Sequence, residues 1–118
     1  MLDGLLNLLP AELASLIRSL PASVLGGLEE IRIRQSRPLE IGHAGGFAFV
    51  TAAGTVSDDP AAGYRPTAEL CARLLERITN HSLYAMEEEL RRGYVTVPGG
   101  HRIGLAGRTV LEGGSVRG

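Results

Sequence analysis

A chain of 118 residues with 12 basic and 13 acidic side chains is one domain or a piece of one, which excludes a two-domain enzyme. Its 44% hydrophobic content supports a core that buries roughly two-thirds of the unfolded surface, so global disorder is excluded as well. A net charge of -1 supplies no long-range positive field for drawing the chain onto nucleic acid or an anionic membrane. The single Cys71 cannot form an internal disulfide, and a reducing, cytoplasmic setting is expected.

No run approaches ~20 uninterrupted apolar residues, so no bilayer-spanning helix is expected. The apolar run 2–9 contains Asp3 and Asn7 and lacks a basic flank, and it reads as a mature helix rather than a secretory signal. Residues 2–20 form a Leu-rich helical block. Pro10 suits the first turn of a helix, Leu13, Leu16, Ile17 and Leu20 follow at helical spacing, and Pro21 ends it. The block is read as a lid on the core, with a partner-docking helix as the alternative.

After Gly26 and Gly27 the period changes to two. Across residues 30–34 the isoleucines take one face and the charged side chains the other, as in a half-buried strand. Leu39 and Ile41 continue the alternation, and a turn at residues 43–46 leads into 47–50, which gives three strands in a meander. Residues 57–66 read as an exposed loop. Leu70, Cys71, Leu74, Leu75 and Ile78 then form a helical stripe, with Glu69 and Arg73 at i,i+4 outside it.

Asn80 and His81 stop that helix, and Ser82 is the expected N-cap of the next, which carries Leu83, Met86 and Leu90 inward and ends at Gly93. On its outer side Glu87 to Arg91 and Glu88 to Arg92 are i,i+4 pairs on a solvated face. Residues 94–97 and 102–111 form a hairpin through the turn 98–100. The order is helices, three strands, two helices and a C-terminal β-hairpin, an α+β fold. The glycine-rich ending at 113–118 leads into no further element, and a fragment or excised domain is expected.

Motifs for catalysis are absent. All the basic residues are Arg, and without Lys there is no phosphate loop of the Gly-x-x-x-x-Gly-Lys-Ser/Thr type. The chain alone is therefore expected to hydrolyse no nucleotide, and no catalytic residue is assigned. His43, His81 and His101 lack metal-ligand spacing; they read as surface histidines near turns, and no metal site is expected. Cys71 reads as a small buried hydrophobe rather than a nucleophile.

One segment carries more. In residues 94–108, alternation sends Ile103 and Leu105 inward and gathers Arg102, Gly104, Ala106 and Arg108 on the other face. Two arginines then flank a strip with almost no side chain. Either the strip makes room for another group, or it is a twisted corner with solvated arginines.

Residues 28–34 (LEEIRIR), 37–41 (RPLEI), 82–85 (SLYA) with 87–91 (EEELR), Gly93 and Tyr94, and above all 98–108 (PGGHRIGLAGR), resemble the N-terminal region of the stage III sporulation protein AA family. The likeness runs from about Leu28 onward, and the first block matches only in its Leu-rich helical character. This family looks like a branch of the ATPases of type II and type IV secretion.

The resemblance implies an N-terminal helical segment over 1–27, then a PAS-like domain over 28–118 whose mixed or antiparallel sheet carries helices on one face, preceding a RecA-like motor that this chain does not contain. It implies an accessory and assembly role in a hexameric ATPase that powers the channel between mother cell and forespore. The location implied is cytoplasmic, at the membrane on the mother-cell side. ATP and Mg would belong to the full-length protein and no cofactor to this chain. The implied partners are its own motor domain, neighbouring subunits and membrane channel components, with no nucleic acid. Arg102 and Arg108 are then candidates for nucleotide contact, Arg102 first, because a regular strand holds the two roughly 20 Å apart.

The alternative is a self-contained peptide- or RNA-binding module that uses the side of the sheet bearing Arg32, Arg34 and Arg102. Near-zero charge and 4% aromatic residues disfavour RNA.

Overall fold

The computed structural model describes residues 2–81, 84–97 and 99–105, with the side chains at 81 and 84–87 outside that description. Within it, six strands form one mixed sheet and five helices accompany it, the α+β class expected. The first Leu-rich block is two helices, α1 (Asp3–Leu8) and α2 (Ala11–Arg18), because Pro10 is extended at φ -56° and ψ 153° and precedes the first turn of α2. Pro21 does the same for the single turn α3 (Ala22–Leu25).

Strands β1 (Leu28–Ile33), β2 (Glu40–His43) and β3 (Gly46–Val50) make the expected antiparallel meander. The segment expected to be only a loop is partly ordered. Val56–Ser57 adds a short β4 against β3, and a 3-10 turn at Pro60–Ala62 is capped by Asp59, whose Oδ1 accepts the Ala61 N–H at 3.0 Å. Helix α4 (Ala68–His81) and helix α5 (Tyr84–Arg92) follow. The hairpin β5 (Tyr94–Val97) and β6 (His101–Leu105) closes the described chain.

The strand order is β4-β3-β2-β1-β6-β5, so the hairpin returns to lie beside β1, with β6 parallel to it and Ile31 opposite Ile103. This parallel pair is what places β6 next to the first strand. The crossover α4–α5 supplies the length that such a connection needs.

One core holds everything together. Leu5, Leu9, Leu13 and Ile17 from the first helices, Leu70, Leu74 and Ile78 from α4 and Leu90 from α5 pack with Ile31, Ile33, Ile41, Val50, Val95 and Ile103 from one face of the sheet. The Leu-rich block is thus a lid on the core. Cys71 is buried in the same cluster, as its stripe position implies, and burial pushes its thiol above the usual range.

The charged side chains of the helices pair as follows. Arg73 reaches across to Glu12 of α2 at 2.6 Å instead of closing an i,i+4 pair with Glu69, so it ties α4 to α2. Glu88 takes both Arg91 and Arg92 at 3.7 Å, which confirms the Glu88–Arg92 pair, while the side chain of Glu87 lies outside the described residues. Glu89 turns inward from the acidic run. Its carboxylate accepts the Thr96 N–H at 2.9 Å and the Thr96 hydroxyl at 2.7 Å, fastening α5 along β5.

Candidate functional site: the open face of the sheet

Helices cover one face of the sheet and leave the other open. Pair registers place its outward residues in two rows across five strands. One row runs Phe47, Gly42, Glu30, Arg102, Thr96, and the next Phe49, Glu40, Arg32, Gly104, Tyr94. Each row therefore has an aromatic ring at β3, a glycine, and a pair of opposite charges at neighbouring positions.

The charges form a chain. Arg102 Nη2 lies 3.4 Å from Glu30 Oε1, Glu30 Oε2 3.4 Å from Arg32 Nε, Arg32 Nη1 3.5 Å from Glu40 Oε2, and Glu40 Oε1 3.1 Å from Arg34 Nη2. Both carboxylates are largely withdrawn from water, with side-chain exposures of 13% for Glu30 and 14% for Glu40. Each lies within 3.5 Å of two guanidiniums.

The rings complete the arrangement. The Arg32 guanidinium lies 4.4 Å from the Phe47 ring centre and that of Arg102 5.6 Å from the Tyr94 ring, both within cation–π range. Phe47, 56% exposed, rests on Gly42: a Cβ there would meet the ring at 2.9 Å. At Gly104 a Cβ would meet Glu30 Oε2 at 3.0 Å and the Arg32 Cγ at 3.4 Å. The room left by the glycine strip is thus filled from within the chain by Arg32 and Glu30, which decides that question at Gly104.

At one end of this face the β2–β3 and β5–β6 turns flank a cleft of about 630 Å³ lined by Glu30, His43, Phe47, Thr96, His101 and Arg102. His101 corrects the expectation of surface histidines. It is 8% exposed, its side of β6 faces inward beside Val97, and its Nδ1 has no hydrogen-bond partner among the described residues. His43 is half-buried and its Nδ1 accepts the Gly45 N–H at 3.3 Å. Among the described residues no group of three His, Cys, Asp or Glu side chains is placed to hold a metal ion.

Of the four arginines singled out from the sequence, the structure brings three together: Arg32, Arg34 and Arg102 share the ionic chain, and Arg108 lies outside the described residues. Arg32 is committed to Glu30, Glu40 and Phe47, which makes it the keystone of the face. The end members, Arg34 and Arg102, keep donors for another group. With 54% exposure and one 3.4 Å contact, Arg102 is the freer of the two. Glu30, Glu40, Phe47 and Tyr94 were missed. The signal for them was the pairing of β2 and β6 on either side of β1, which single-strand alternation does not contain.

The family model for sporulation stage III, protein AA, matches residues 3–118. The chain belongs to the stage III sporulation protein AA family. It is similar to the stage III sporulation protein AA of Bacillus subtilis (strain 168), with 38% identity over 117 residues, which covers 99% of this chain and 34% of that relative. The chain therefore spans about a third of the length of the curated relative it matches. No solved structure matches it. No helix among the described residues is long and apolar enough to cross a membrane.

Proposed function

We propose that this chain is the N-terminal accessory and assembly domain of a secretion-type sporulation ATPase that powers the channel between mother cell and forespore. The observation that carries this reading is the family match over residues 3–118 on a chain that spans 34% of its relative. The chain has no lysine and hence no phosphate loop of its own. A RecA-like motor, with its ATP and Mg, then lies elsewhere in the full-length protein, and the working assembly is a hexamer at the mother-cell side of the membrane.

In that assembly the open face lends positive charge to a reaction whose phosphate loop lies in the motor. Arg102 stands at the free end of the ionic chain, where it has donors to spare, and its role is to reach a nucleotide phosphate at the boundary with the motor and stabilise charge that develops during transfer. Arg108, roughly 20 Å further along a regular strand, is the secondary candidate and otherwise pairs with an acidic neighbour. Arg34, at the other end, faces a partner.

The test is ATP turnover of the full-length protein. Arg102→Ala is expected to lower kcat by at least about tenfold, the scale of one charge-stabilising contact, with the ring intact by sedimentation. Unchanged turnover with the fold preserved would remove Arg102 from the nucleotide site.

A further inference from the structure

At the end of the sheet opposite the cleft, the β1–β2 connection gathers Arg34, Arg37 and Arg65. The Arg37 N–H donates to the Arg34 carbonyl at 3.1 Å and closes a tight turn. Within it Ser36 has φ 64°, the one non-glycine residue with positive φ among those described. Side chains with a Cβ rarely hold that conformation unless the surroundings impose it. Here they do: the Ser36 N–H donates to the Pro66 carbonyl at 3.0 Å and Arg65 Nη1 donates to the Ser36 carbonyl at 2.8 Å. One step on, the Leu39 N–H donates to the Tyr64 carbonyl at 2.6 Å. The turn and the segment 64–66 are therefore one rigid piece, and the guanidinium of Arg65 is held on it.

The charges of this piece are poorly neutralised. Arg65 spends a donor on a neutral carbonyl, and Arg37 is exposed with no ion pair among the described residues. Among the described residues Arg34 pairs only with Glu40, which it shares with Arg32. The N-terminus of the 14-residue α4 begins just past Pro66, and its dipole adds positive potential there. Glu69 in the first turn of α4 makes no ion pair with Arg34, Arg37 or Arg65 among the described residues.

We propose that the turn bearing Arg34, Arg37 and Arg65 is a docking surface for an acidic polypeptide segment of a partner protein. The planar fork of each guanidinium matches a carboxylate, and a preformed turn spends little ordering entropy on binding. An anionic membrane fits less well. Three arginines fall short of the four to eight clustered basic residues that hold a protein on anionic lipid, and the exposed large hydrophobics among the described residues, Phe47 and Val56, are not on the turn. Nucleic acid fits less well too, because no aromatic residue lies on the turn itself, and Tyr64 beside it is partly buried against the core. The inference stands on the turn itself and is independent of the ATPase reading.

The test is fluorescence anisotropy of a labelled decaglutamate peptide with the 118-residue chain at low salt, where a protein of net charge -1 has no general attraction for an acidic probe. Binding is expected, with Arg37→Glu weakening it at least about tenfold, Arg65→Gln several-fold, and Arg18→Glu, a charge change of the same size at the end of α2, by less than about twofold. Thermal melts confirm that the variants fold; because Arg37 makes no ion pair among the described residues, its substitution separates binding from folding. Absent peptide binding, or equal loss in the Arg18 and Arg37 variants, would overturn the proposal. So would tighter, Arg37-dependent binding to phosphatidylglycerol vesicles, which would make the turn a lipid contact instead.

Discussion

The two faces of the sheet solve opposite problems with the same alternating strands. On the covered face Ile31, Ile33, Ile41, Val95 and Ile103 leave water together, and their stabilisation is a sum of burial terms that does not depend on any one partner. On the open face Glu30, Arg32, Glu40, Arg34 and Arg102 are useful only as a set. Removing one member leaves its half-buried neighbour short of a counter-charge. Position 31 thus carries stability and position 32 carries arrangement, although they are adjacent in the chain.

This contrast predicts a ranking of effects. Ile31→Ala is expected to cost about 2–5 kcal/mol in denaturant unfolding, the usual penalty for emptying a fully buried aliphatic site. If Arg32→Ala proved equally costly, the division between the faces would fail. Next comes Glu40→Gln, which withdraws the charge shared by Arg32 and Arg34 and should cost about 1.5–3 kcal/mol, the range for hydrogen bonds to charged groups. High salt should narrow that difference.

Gly42→Ala should cost under about 1 kcal/mol, because the Cβ meets the outer edge of the exposed Phe47 ring, which can swing away. Its signature is a displaced Arg32 guanidinium, visible as a change in the Arg32 side-chain NMR signal. The smallest effect lies between the helices. The hydrogen bond from Arg73 holds the Glu12 carboxyl below its ordinary range. A depressed folded-state pKa contributes stability above the unfolded value and loses it as pH falls through the folded value. The difference between wild type and Glu12→Gln should therefore be present at neutral pH and vanish in acid melts. A gap that persists in acid would show that the pair is not what holds α4 to α2.

The covered face was legible because its information is local. Periods of two at residues 30–34 and of 3.6 around Leu70, Leu74 and Ile78 each mark a buried stripe without knowledge of any neighbour. The open face was not, because its information is between strands. That Glu40 stands opposite Arg32, and Gly104 beside it, depends on β6 returning parallel to β1, a choice set by packing over the crossover helices. The same limit explains Arg73, whose nearest acid in sequence is Glu69 but whose partner in space is Glu12. His101 was misread for a related reason: it follows two glycines in a turn, yet its position on β6 aims it inward.

The grip of Glu89 on Thr96 reaches further than fastening a helix. Strand β5 is an edge, and its Thr96 N–H is the kind of unpaired donor that invites a foreign strand to add itself. A carboxylate seated on that donor meets an approaching backbone with an acceptor already in place and a negative charge beside it. The opposite edge, β4, has only two residues to offer. At the β5 edge, then, an approaching segment meets charge and shape before it meets backbone, and selectivity rests on side chains where an uncapped donor would accept any strand.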